Sequence, residues 1–260
     1  MRKHLVWVLG LALAISVTAI ASGANNTQNT QKMAVTLKPG KGGKTTFKRN
    51  SLRSLTTTGS TATGAFAITP VTKAQIFYDS DIKFDTKGLP VCTANITGTT
   101  TAAALAACAS SKVGTGKAVV KIAGDPASPD TSAVITAFNG KPIGGKPVIL
   151  LHTRVDAIAS TTVLVGTLNK VGGKFGWRLD VVVPPLPAAT ATTIFDVTVD
   201  HKPVKVGKVN HTYVSAKCSH KNKTWAFKGT FTYKSDPGDP TPNAGSITVG
   251  SSQKCAVSGK

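Results

Sequence analysis

The sequence contains no glutamate: all 11 acidic residues are aspartates, set against 31 lysines and arginines for a formal net charge of +20. The closing Glu of an EF-hand calcium loop is therefore missing wherever one looks. Arginine is scarce too, with Arg49, Arg53, Arg154 and Arg178 the only copies after Arg2, and aromatics make up 6% of the chain. Arginine forks and aromatic platforms are what nucleic acid usually prefers, so no specific nucleic-acid partner is expected. Cysteine is limited to four residues, and no C-x-x-C pair marks a redox dithiol. Structural zinc would need closely spaced Cys or His pairs, whereas the nearest cysteines, Cys92 and Cys108, lie sixteen apart. No G-x-S-x-G elbow is present, and Ser251-Ser252-Gln253-Lys254 spells S-x-x-K without its companion motifs. No catalytic residue, metal or cofactor is expected.

The one long apolar run stands at the start. Arg2, Lys3 and His4 form a basic head, and Leu5 to Ala21 follow as an apolar stretch slightly short for a membrane span. Ala19-Ile20-Ala21, or Ser22-Gly23-Ala24 after it, supplies the small residues a signal peptidase reads, so residues 1–24 predict an export signal. The mature chain is then secreted, carries 20 − 2 = +18, and has no further candidate span. Residues 25–64 read as a flexible Lys/Gly/Thr-rich lead-in with edge strands near 34–37 and 45–47. Residues 65–260 read as the body, and the turn at 184–187 marks where a two-module split would fall.

Period-two alternation dominates that body. In KFGWRLDVVV, Phe175, Trp177, Leu179, Val181 and Val183 fall on one face; in TWAFKGTFTY, Trp225, Phe227, Phe231 and Tyr233 do. TIFDVTV, KAVVKI and TVLVGTL alternate likewise, and PVILLHTRV reads as a buried run. Asn139-Gly140 and Gly172-Gly173 are predicted hairpin turns, because tight turns need positive φ. The fold class is all-β, an antiparallel β-sandwich of Ig-like or jelly-roll-like type, with one Ala-rich helix at Thr99–Ala107 capped by a threonine.

Four cysteines in an exported chain point to two disulfides among Cys92, Cys108, Cys218 and Cys255. Three pairings are possible. The local one, Cys92–Cys108 with Cys218–Cys255, is preferred because each pair brackets one supersecondary unit.

The ordered set GLPVC…TTTAAALAAC…KVGTGKA, AFNGKPIGGKPVILLH, GGKFGWRLDVVVPPLP, FDVTV and TYVSAKC…WAFKGTFTY resembles a group of exported four-cysteine proteins of high-GC Gram-positive soil bacteria. The likeness runs from Lys73 to Cys255. It implies export and a β-rich fold, and it implies no functional residue. KSDPGDPTPNAGSITVGSSQKC is longer and richer in proline than that group's final hairpin.

Other candidates have bland explanations. Asp79, Asp81 and Asp85 could ligate calcium or flank a glycosidic bond, but turn-capping aspartates account for them more simply. Asp125–Asp130 and Asp236–Asn243 are further loop candidates, and Asp180 sits on a strand. His152 lies within a strand, and His201, His211 and His220 sit in Lys-rich surroundings. An exposed aromatic row would bind sugar, but a buried sheet face is the better reading of Trp177, Trp225, Phe227, Phe231 and Tyr233. Asn25, Asn95, Asn210 and Asn222 head glycosylation sequons. The sequence therefore points to a non-catalytic extracellular or wall-associated protein whose lysines hold anionic surface polymer or polysaccharide. A carbohydrate- or small-ligand-binding module is the alternative, and a hydrolase comes third.

Overall fold

The structure is a computed structural model that describes residues 17–19, 28–186, 189–200, 202–235, 237–239 and 243–258. Most of the expected export signal lies outside them. Twelve strands make the main sheet: β1 (Val17–Ala19), β2 (Asn29–Lys38), β5 (Ser51–Ser60), β6 (Val71–Asp79), β8 (Lys112–Lys121), β9 (Thr131–Ile143), β10 (Lys146–Val155), β11 (Ser160–Lys170), β12 (Phe175–Val182), β13 (Ala191–Val199), β17 (Thr224–Lys234) and β18 (Ala244–Lys254). Short strands fill the ends and edges: β3 (Lys41–Gly42), β4 (Lys48–Arg49), β7 (Ile82–Phe84), β14 (Val204–Val206), β15 (Val209–His211), β16 (Val214–Ala216) and β19 (Ala256–Val257). Among the described residues the one α-helix, α1 (Thr101–Cys108), follows Thr100, whose hydroxyl accepts from the Ala103 N–H. No helix among the described residues is long and apolar enough to cross a membrane.

The main sheet runs β1-β18-β17-β6-β12-β11-β10-β9-β8-β13-β5-β2, every neighbour antiparallel. The all-β class, the single helix and the two disulfides agree with the sequence. The strands, however, form one continuous ladder that curls until its ends nearly meet. Side chains bridge the remaining gap. Gln253 Oε1 accepts from Leu37 N at 2.6 Å while its Nε2 donates to Leu37 O at 2.9 Å, and Ser251 Oγ accepts from Val35 N at 3.3 Å. The Gln253 amide thus takes the place of a strand's backbone. Beside the seam, Gly229 of β17 faces Met33 of β2, where a Cβ would meet Met33 Sδ at 2.7 Å.

Several local expectations change. The stretch 25–64 gives the main sheet two ten-residue strands, β2 and β5, while 45–47 form no strand. Asn139-Gly140 is not a turn; both residues pair within β9, and the chain reverses at Gly144 and Gly145, both at positive φ. Gly140 is required by crowding, since a Cβ there would meet Val148 Cγ1 at 2.8 Å. A bulge between Phe175 and Trp177 breaks strict alternation, so these two rings face opposite sides of the sheet.

Candidate functional site

Inward side chains of the curled sheet line a partly open cavity of about 150 Å³. Leu52, Ile149, Leu151, Leu164, Leu179 and Val181 are among its aliphatic walls. Register places a rim of threonines at one end, where Thr153 lies opposite Thr162, joined by Thr56, Thr58 and Thr192. Val183 and Leu186, on the segment leaving β12, reach over the same end. At the other end Tyr78, Phe84 and Tyr213 close the space, with the Phe84 ring edge-on to both tyrosines.

Tyr213 is 1% exposed, and its hydroxyl has no hydrogen-bond partner. Burial pushes the phenols of Tyr78 and Tyr213 well above their ordinary range, and proximity to Tyr78 raises Tyr213 further. Both hydroxyls therefore stay protonated. The cavity accordingly combines a long apolar wall with a lining tyrosine whose buried hydroxyl is unpartnered. An apolar space of this kind accepts a small hydrophobic body.

The residues singled out in the sequence lie elsewhere. Cys92 is bonded to Cys108, and Cys218 to Cys255. The Cys92–Cys108 bond lies against a face of the sheet. It straps residues 92–108 across the outer face of β9 and β10, over Phe138, with Cys92 N donating to Asn139 O at 2.8 Å. Completely buried His152 lies beneath this strap, its Nε2 3.1 Å from Thr99 O. Burial lowers its pKa, so the ring is neutral at physiological pH.

Asp79, Asp81 and His220 bring three possible metal-binding groups within 4.8 Å of one another. The protein itself satisfies these carboxylates. Asp79 accepts from Asp81 N, Ala226 N and His220 Nε2, at 2.6 Å for the last. Asp81 accepts from the Ser219 N–H and hydroxyl, with Lys217 Nζ 3.5 Å away. The cluster anchors the turn after Cys218. Asp85 pairs with His211 at 2.9 Å; burial pushes its carboxyl up, but His211, the Lys87 N–H and Lys83 more than offset this and hold it low. Asp125 caps its own turn, and Asp130 pairs with Lys121. Asp180 accepts from Gln75, Asn169 and Arg178.

The aromatic row is core: Trp225, Phe227, Phe231 and Tyr233 are buried and Trp177 is half-buried against the same core, with Trp225 Nε1 donating to Lys217 O and Tyr233 Oη to Gln31 Oε1. Within S-x-x-K, Ser251 and Gln253 serve the seam described above. Asn95 and Asn222 cap local turns. His201, Asn25 and part of the 236–243 loop lie outside the described residues. Sequence reasoning missed Tyr78 and Tyr213. Their only signal was position: Tyr78 alternates with Ile76 and Ala74 on an inward face.

Compared with protein-family models, curated proteins and solved structures, the chain matches none.

Proposed function

We propose that this protein is a non-catalytic binding protein working outside the cytoplasmic membrane, and that it holds a small, mostly apolar ligand inside its sheet. In this reading the curled sheet acts as a flattened barrel rather than a two-layer sandwich. The observation that carries it is the apolar cavity lined at one end by Tyr213, whose buried hydroxyl has no partner. The buried, unpaired phenol costs ~1–3 kcal/mol. A ligand with an apolar body and one hydrogen-bond acceptor would cover the apolar walls and satisfy that donor. The two disulfides are compatible with the extracellular placement.

Calorimetry with a size series from benzene to a bicyclic ketone tests this. Binding is expected for compounds of one or two rings, tighter for ketones than for hydrocarbons of the same shape. Ala118→Leu, which fills the cavity from β8, abolishes it. A wild-type protein that binds none of the series sinks the proposal. A second reading, retention on anionic wall polymer through the lysine-rich surface, is favoured by the cations gathered over Phe77 and Phe175 on the outer face.

A further inference from the structure

Phe77 of β6 and Phe175 of β12 stand on the outer face with ring centroids 5.6 Å apart. Phe175 is there because the bulge before Trp177 turns it outward. Three cations converge on these two rings. Lys228 Nζ lies 4.0 Å from the Phe77 centroid and 5.5 Å from that of Phe175. The Arg178 guanidinium lies 5.8 Å from Phe77, and Lys174 Nζ 5.9 Å from Phe175. Register sets Lys228, Phe77 and Arg178 side by side on β17, β6 and β12.

The negative faces of the rings hold the cations in place. Acid compensation is incomplete. Asp180 takes Arg178 at 2.7 Å, and among the described residues neither Lys174 nor Lys228 has an ion-pair partner. Two uncompensated ammonium groups therefore stand beside apolar ring surface. Anionic groups complete that field, and a flat apolar surface completes the rings.

We propose that this patch binds an acidic polysaccharide, a uronate-bearing chain whose carboxylates meet Lys174 and Lys228 while a sugar's C–H face lies on Phe77 and Phe175. The proposal is independent of the cavity and rests on the surface-polymer reading, to which it gives an address. Nucleic acid fits less well. The free cations are lysines, without the planar fork that reads phosphate.

The test is calorimetric titration of the mature, disulfide-bonded protein with polygalacturonate at low and at physiological ionic strength. The double variant Lys174→Gln/Lys228→Gln is compared with Lys141→Gln/Lys146→Gln, a pair of exposed lysines elsewhere on the surface that removes the same charge. The patch variant is expected to weaken binding about tenfold and the control less than about twofold. Phe77→Leu/Phe175→Leu, which keeps charge and apolarity but removes the rings, should weaken binding several-fold without changing its salt dependence. Equal losses from both lysine pairs would overturn the patch while leaving the diffuse surface reading intact. Absence of any binding overturns both, and equal affinity for single-stranded DNA or polyphosphate overturns the polysaccharide assignment.

Discussion

The two disulfides close different kinds of structure. Cys92–Cys108 fastens a strap to the outside of β9 and β10, a wall already complete in its own hydrogen bonds. Cys218–Cys255 belongs to the closure itself. Cys218 N donates to Gly43 O, Cys255 N donates to Lys223 O, and β19 pairs with β3 just beyond. Cys255 also directly follows the strand whose Ser251 and Gln253 bridge the seam. One bond is an addition to the sheet; the other helps the sheet remain curled around its cavity.

Removing each bond in turn separates the two roles. Cys218→Ser/Cys255→Ser is expected to cost about 4 kcal/mol by loop entropy, and to weaken ligand binding as well, because the tyrosine end of the cavity loosens. Cys92→Ser/Cys108→Ser is expected to cost about 3 kcal/mol and to leave ligand binding unchanged. Denaturant unfolding read beside calorimetry separates the two, and equal effects on binding would erase the distinction. Gln253→Ala comes next. It strands Leu37 N and O, buried at the seam, and should cost about 1–3 kcal/mol, whereas a change below about 0.5 kcal/mol would mean the seam is held by something else.

A pH experiment sharpens the strap side. Burial depresses the His152 pKa below its ordinary 6.5, so the unfolded chain takes up a proton there before the folded one does. Stability from this source is complete above pH 6.5 and falls as pH drops through the folded value. The thermal midpoint of the wild type is expected to decline below pH 6.5, and the decline should shrink in His152→Asn and in the strap-disulfide variant. The smallest effect concerns Arg53, whose bidentate bond holds the Asp196 carboxyl low. With Arg53 half exposed, Arg53→Gln should cost under about 1 kcal/mol. That loss is fully present above pH 3.8 and vanishes as acid protonates Asp196 in both forms.

Much of this architecture was legible in the residues. Alternation located the strands because burying one face writes a period of two into the sequence, and Trp225, Phe227, Phe231 and Tyr233 fell inside as that period requires. The closure was not legible. It depends on contacts such as Leu37 with Gln253, 216 residues apart, made by side chains with no periodic signature. Asn139-Gly140 misled because it carries turn chemistry, yet Asn139 is used to tether the strap through Pro90 O. Phe175 misled because a single bulged residue inverts the facing of everything before it. The cavity was invisible for a different reason: a void arises from the summed volumes and separations of many strands, and no single position encodes it.

The most direct measurement is mass spectrometry of an organic extract from the purified, folded protein, taken from the wild type and from Ala118→Leu in parallel. A small apolar compound present in near-stoichiometric amount in the wild type and missing from the filled variant is the predicted result. A wild-type protein that yields no such compound, or a filled variant that yields just as much, would contradict the assignment of the cavity as the binding site.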